Sequence, residues 1–300
     1  MQLLNGKEAS EVIKKKLTVK TEVLQKQNFP VPHLAAILIG HNGPSETYVA
    51  SKIKNCAEAG FQSSLIRFEE SLSEEDLLQQ IAVLNKSDNV DGILVQLPLP
   101  AHISEHKVIN AISPEKDVDG FHPVNQGYLT QGSPVFIPAT PYGIILMLEH
   151  YNISTKGKHA VIIGRSNIVG RPISILLSSN RPYGNATVTV CHSHTSNMKE
   201  LTLQADIIVA ALGKPGFITA DMIKEGAVVI DVGITRVEDA TAKKGFRIKG
   251  DVNFDEVASK TSWITPVPGG VGLMTIAALL TNTMNAYLMR NGLTEDIFSA

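Results

Sequence analysis

Short apolar runs alternating with stretches of helical periodicity constrain this chain more than any other feature. LAAILIG (34–40), FQSSLIRF (61–68) and GILVQL (92–97) read as strands in the N-terminal half. HAVIIG (159–164), ATVTVC (186–191), DIIVAAL (206–212) and AVVIDVG (227–233) read so in the C-terminal half. Strands that are apolar at consecutive positions need cover on both faces, which is the signature of parallel sheets flanked by helices. The intervening segments supply those helices. Residues 8–27 carry Val12, Ile13, Leu17, Val23 and Leu24 at near-helical spacing. A second helix is expected from Ser45 as N-cap to Gly60 as the residue after its end, and a third is opened by Ser73-Glu-Glu-Asp76. The expected fold is two three-layer α/β domains, the second of Rossmann type.

A segment from Lys116 to Pro141, richer in Gly, Pro and Asn, reads as the connection between the two units. Pro141 suits the first turn of a helix running to about Tyr151, and further helices are expected from about Ile168 and Ser196. The last helix, Leu273 to Arg290 with Gly292 beyond it, follows the second unit and is expected to pack back on the first. The domains are thus expected at 1–139 plus 273–300 and at 140–272, a division that 300 residues readily support.

With 43% hydrophobic and 19% charged residues and a net charge of −2, the chain has no basic field for nucleic acid. Lys14-Lys15-Lys16 reads as the solvated face of an amphipathic helix. The start, MQLLNGKEASEVIKKK, lacks the layout of a secretory signal, and polar Thr281, Asn282, Thr283 and Asn285 interrupt the apolar stretch near the end. The expected location is the cytoplasm. Cys56 and Cys191 are too few and too far apart for a disulfide framework or a cysteine metal site, and no metal is expected.

The loop VIIGRSNIVGRP (161–172) starts as a dinucleotide-binding turn at Gly164 and then departs from it, because Ser166 and Val169 stand where the usual fingerprint has its other glycines. The Gly164 to Gly170 spacing also fails the Walker A pattern. A strand, a tight turn and a helix N-terminus remain, and these favour an anion. NAD sites place a carboxylate at the end of the next strand; here His192-Ser193-His194-Thr195 follow ATVTVC with no acid among them, and Arg165 stands nearby. The loop is therefore read as one that takes the 2′-phosphate of NADP.

In SETYVASKIK (45–54), Tyr48 and Lys52 share a helix face, with Cys56 one turn further along. That helix starts just after LAAILIG, at the strand edge where open α/β sheets bind ligands. Gln96 emerges from GILVQL at the same edge, and KDVDG (116–120) offers Asp117 and Asp119 there. PVPGGVG (266–272) is either a run that lets backbone approach a flat ligand or a plain linker.

TYVASK, VQLPLP, KDVDGF, GRSNIVGRP, DVGI and PVPGGVG together, in this order, resemble the bifunctional methylenetetrahydrofolate dehydrogenase/methenyltetrahydrofolate cyclohydrolase family over essentially the whole chain. The resemblance implies a catalytic domain facing an NADP-binding domain across a cleft. It implies Lys52 as the catalytic lysine, Gln96 as its hydrogen-bond partner, Tyr48 as a ring stacked on the folate and Asp119 as the carboxylate gripping the pterin. It implies Leu97, Pro268, Gly269 and Gly272 at the substrate and Gly164, Arg165, Ser166, Ser193, Ile234 and Thr140 at the cofactor. It further implies a homodimer serving one-carbon metabolism and purine biosynthesis. The chain departs from the family pattern at Ala139, Leu273 and His194, the last standing where Lys or Arg is common. Two other readings stay open on sequence: an NADP-dependent dehydrogenase of another small acid, similar to shikimate dehydrogenases, and a nucleotide-sensing module without turnover.

Overall fold

The computed structural model describes residues 1–242 and 245–298. Its elements, numbered along the chain, begin with a two-residue strand β1 (Gln2–Leu3) and helix α1 (Gly6–Lys26). The first sheet comprises β2 (His33–Ile39), β3 (Gln62–Phe68) and β4 (Gly92–Val95). Around it are α2 (Gly43–Glu58), α3 (Glu74–Lys86), α4 (Glu105–Ala111) and α5 (Pro123–Thr130). Helix α6 (Ala139–His150) leads into β5 (His159–Ile163), α7 (Gly170–Ser178), β6 (Thr187–Cys191), α8 (Met198–Thr202), β7 (Ile207–Ala210) and β8 (Ala227–Asp231). Strands β9 (Thr235–Glu238) and β10 (Phe246–Lys249), helix α9 (Phe254–Val257), β11 (Thr261–Ile264) and α10 (Val271–Arg290) complete the fold.

The chain divides into two compact units, residues 11–139 with 276–300 and residues 1–10 with 140–275. The division differs from the sequence expectation at both ends. The first ten residues join the second unit because β1 pairs in parallel with β11, Leu3 opposite Ile264. A two-residue strand has no periodicity to read, so its partner is a tertiary matter.

In the unit of 11–139 and 276–300, all three strands are parallel in the order β3-β2-β4. Every residue of β2 is buried, as a strand covered on both faces must be. Ala35, Ile37 and Ile39 of β2, with Ile93 and Val95 of β4, pack on Leu77, Ile81 and Leu84 of α3 and Val108 of α4. Most of α10 belongs here too. Its Arg290 Nε donates to Asp91 Oδ1 at 2.7 Å, while Asp91 Oδ2 accepts from His33 N at 2.8 Å. This is the one helix among the described residues that is long and apolar enough to cross a membrane, and 78% of its apolar window is buried in the protein.

Local chemistry explains the element boundaries. Helix α2 begins earlier than Ser45, because Asn42 is the cap: its Oδ1 accepts from Ser45 N at 3.2 Å, and Pro44 fits the first turn. Gly60, at φ +76°, follows the helix as expected. Ser73 Oγ accepts from Asp76 N at 3.1 Å and opens α3 as its motif requires. The segment 116–141 is more than a connection: it holds α5, capped by His122, whose Nδ1 accepts from Val124 N at 3.1 Å.

In the unit of 1–10 and 140–275, six parallel strands run in the order β1-β11-β8-β7-β5-β6. Val161, Ile163, Ile208, Ala210, Val229 and Ile264 form one buried face, with Met198 and Leu201 of α8 packed against it. The antiparallel pair β9-β10 forms a separate hairpin. Helix α7 starts at Gly170, two residues later than expected, for the reason given below.

Candidate active site

In the three-stranded sheet β2 lies between β3 and β4, and in the six-stranded sheet β5 lies between β6 and β7, so the chain reverses direction across each sheet beside that strand. Ligands of open α/β sheets bind outside the carboxyl ends of the strands at such a point. In the first sheet this point lies between β2 and β4.

Three segments converge there. Helix α2 leaves β2 and buries Lys52 to 4% exposure. Gln96 follows β4, its N–H donating to Ile37 O of β2 at 2.9 Å, so its side chain starts at the sheet edge. The loop after α4 runs along β4, with Ile93 N donating to Lys116 O at 2.8 Å and Ile93 bridging Asp117, and it delivers Asp119. The Lys52 ammonium lies 3.2 Å from Gln96 Oε1 and 4.8 Å from the centre of the Tyr48 ring. Gln96 Nε2 donates to Leu97 O at 2.7 Å, which fixes the amide so that its oxygen faces the lysine.

The electrostatics set Lys52 apart from a surface lysine. Burial lowers its pKa below 10.5, while the negative charge of Asp119 opposes that shift. Burial raises the Asp119 carboxyl, and the lysine charge draws it back down. The buried Cys56 thiol is pushed up to about 12 by desolvation, so it stays a neutral neighbour near pH 7. A lysine held dry in this way gives up its proton at lower pH than a surface lysine, and the fixed acceptor on one side then directs its lone pair.

Asp117, unlike Asp119, turns inward. Its carboxylate accepts from Phe121 N at 3.1 Å, His122 N at 2.8 Å and Asn125 Nδ2 at 2.8 Å, which shapes the loop that carries Asp119. Asn125 carries no signal in the sequence, where it is a lone Asn in a weakly patterned segment.

The second sheet has its switch point between β5 and β7, where the glycine loop lies. Gly164 has φ +129°, and a Cβ there would lie 2.2 Å from Ala211 O at the end of β7. A Cβ on Gly170 would lie 2.2 Å from Gly164 O. Gly170 therefore does the close helix-to-strand packing of the third fingerprint glycine, one position later than Val169, and α7 starts there. Ser166 Oγ accepts from Val169 N at 3.2 Å, while Arg165, Ser166, Asn167 and Ile168 are exposed.

Ile163 pairs with Cys191, so residues 192–195 emerge beside this loop, at the neighbouring strand end. They form a tight turn: Thr195 Oγ1 accepts from His192 N at 3.0 Å, and His192 Nδ1 accepts from His194 N at 3.2 Å. Ser193 and His194 are exposed, as is Ile234 beyond β8. An uncluttered glycine turn, an exposed arginine and hydroxyls, and no acid at the second strand end fit a phosphorylated dinucleotide. Thr140 lies on α6, its hydroxyl 3.1 Å from that of Thr275. Pro268 is exposed, and Gly269 O accepts from Gly6 N at 2.9 Å, so the PVPGGVG run is braced by the N-terminal segment of its own unit.

The structure thus brings Tyr48, Lys52, Gln96 and Asp119 together in one unit, and places Gly164, Arg165, Ser166, Ser193, Ile234, Thr140 and the run Pro268 to Gly272 in the other. Two family models match successive parts of the chain. Residues 4–119 match the tetrahydrofolate dehydrogenase/cyclohydrolase catalytic domain, and residues 138–291 match the NAD(P)-binding domain of the same family. The chain is 57% identical to the bifunctional protein FolD of Cytophaga hutchinsonii over 290 residues, 97% of this chain and 100% of that one. A crystal structure of the bifunctional FolD enzyme of Campylobacter jejuni superposes with a TM-score of 0.89 at 48% identity, covering 96% of this chain and 99% of that one. The Trypanosoma brucei FolD enzyme, solved with NADP cofactor and an inhibitor, gives a TM-score of 0.90 at 36% identity, covering 95% and 96%. The chain belongs to the tetrahydrofolate dehydrogenase/cyclohydrolase family.

Proposed function

We propose that the protein oxidises 5,10-methylenetetrahydrofolate to 5,10-methenyltetrahydrofolate with NADP and then hydrolyses the product to 10-formyltetrahydrofolate. The observation that carries this reading is the buried Lys52 ammonium, 3.2 Å from Gln96 Oε1 and electrostatically coupled to Asp119, at the switch point of a parallel sheet. NADP, when bound, supplies the hydride acceptor. In the oxidation the chain's own residues orient rather than supply a base. Tyr48 offers a ring face to the flat folate, and Asp119 accepts N–H groups from the pterin edge, a charge-assisted contact.

Hydrolysis requires a proton acceptor. As the water oxygen bonds to the cationic methenyl carbon, the C=N electron pair returns to nitrogen and the water proton goes to neutral Lys52 Nζ, which donates to Gln96 Oε1; that proton then passes to N5 as the carbon–N5 bond breaks, leaving the formyl group on N10. We assign Leu97, Pro268, Gly269 and Gly272 to the substrate, and Gly164, Arg165, Ser166, Ser193, Ile234 and Thr140 to the cofactor. Support comes from the exposed loop ends and from motif-by-motif resemblance.

A dehydrogenase of another small acid is not favoured, because both halves of the chain match the folate family and the 57% identity spans 97% of it. The test is a spectrophotometric assay with methylenetetrahydrofolate and NADP, with the methenyl absorbance followed at neutral pH. NADPH formation together with protein-dependent loss of the methenyl signal supports the reading; absence of either refutes it. The same resemblance supports a cytoplasmic homodimer that supplies one-carbon units for purine biosynthesis, and sedimentation of the purified protein tests the dimer.

A further inference from the structure

The direction of the Asp119 carboxylate depends on the backbone that carries it, and one side chain far along the sequence reaches that backbone. Asn282 lies on α10, 1% exposed, and its Nδ2 donates to Val118 O at 2.8 Å and to Ile137 O at 2.9 Å. Val118 immediately precedes Asp119. The Ile137 carbonyl belongs to the segment against which the loop closes: Ala139 N donates to Asp119 O at 3.3 Å, and a Cβ on Gly120 would lie 2.7 Å from Pro138 N. A single buried amide therefore spans the two chain segments on either side of Asp119. Asp117 anchors the same loop from within by its contacts to residues 121, 122 and 125. An apolar residue would pack a buried helix position as well. An amide with both N–H groups on carbonyls of other segments instead sets the distance between them, because each carbonyl left without it would be a buried acceptor without a partner.

We propose that Asn282 is a positioning residue for Asp119: by holding the Val118 and Ile137 carbonyls together, the last helix sets the direction in which the carboxylate meets the folate. The inference rests on the reading of Asp119 as the substrate-gripping group. Displacing a binding group by about 1 Å can cost up to about 100-fold, so a partial loss of aim is expected to cost about tenfold.

The experiment is a double-mutant cycle on the full-length protein with Asn282→Leu and Asp119→Asn, measuring KM for methylenetetrahydrofolate and for NADP. Asn282→Leu is expected to raise the folate KM about tenfold and leave the NADP KM within about twofold, and the double variant is expected to be no worse than Asp119→Asn alone. Multiplying effects in the double variant, equal rises for both substrates, or an unchanged folate KM in Asn282→Leu beside a raised one in Asp119→Asn overturns the role of Asn282. An unchanged folate KM in Asp119→Asn overturns the reading of Asp119 and the proposal with it. Should Asn282→Leu fail to fold, Asn282→Ser, whose hydroxyl can keep one of the two bonds, enters the same cycle with an expected rise of about threefold.

Discussion

Replacing Lys52 by Met separates its chemical role from any structural one. The substitution keeps an unbranched stem of similar length in a position only 4% exposed, and removes the charge, the bond to Gln96 Oε1 and the contact with the Tyr48 ring. Two electrostatic effects oppose each other. Burial already disfavours the lysine charge, as its lowered pKa records, so removing it relieves the fold. Asp119 loses the charge that held its own pKa down and takes up a proton more readily. Asp119 is partly exposed and can neutralise itself, so the net change in stability is expected within about 1 kcal/mol, or about 2–4 °C in melting temperature. Loss of a positioned proton carrier costs about 10²–10⁴ in rate. Hydrolysis of methenyltetrahydrofolate, corrected for the uncatalysed reaction, is therefore expected to fall by that factor while the melting temperature barely moves. Hydrolysis near the wild-type rate would refute Lys52 as the proton acceptor. A destabilisation above about 3 kcal/mol would show instead that the lysine serves the fold.

Asp119→Asn is expected to weaken folate binding by about 2–4 kcal/mol and leave NADP affinity unchanged, measured by titration, because an amide must turn a donor toward one pterin N–H. Arg165→Ala is expected to cost about one to two powers of ten in NADP affinity and little in NAD affinity; equal losses in kcat/KM for both cofactors would mean that the arginine serves their shared pyrophosphate. Gly164→Ala is expected to destabilise the second unit by about 2–4 kcal/mol in denaturant titration, since the new Cβ meets Ala211 O at 2.2 Å from a backbone at φ +129°. Because the Lys52 pKa is lowered from 10.5, its neutral, proton-accepting form gains population as pH rises through a value below 10.5, and enzymatic methenyl hydrolysis should rise and level off in that window. A rate that falls as pH rises there would exclude the neutral lysine as acceptor.

Much of the molecule was legible in the linear chain because its signals are local. Buried parallel strands read as apolar runs, Ser73 caps α3 through a contact three residues away, and Gly164 ends a strand in a conformation that glycine favours. Lys52 and Tyr48 share a helix face by periodicity alone. Other features depend on partners that no local pattern names. Residues 1–10 look like the start of the first domain, yet β1 completes the second sheet by pairing with β11, some 260 residues away. Helix α5 hides in a segment whose Gly, Pro and Asn content suggests loop, because its stability comes from the His122 cap and from Asn125 bonded to Asp117. The third fingerprint glycine reads as missing until the approach of Gly170 to Gly164 O shows it displaced by one residue. Asp117 and Asp119 are two residues apart and chemically identical. The sequence by itself placed both on one loop. Only the tertiary structure decided that Asp117 turns inward to organise the loop while Asp119 couples to Lys52, because Asn125, the backbone of 121 and 122, and a helix at the far end of the chain supply the contacts that separate their roles.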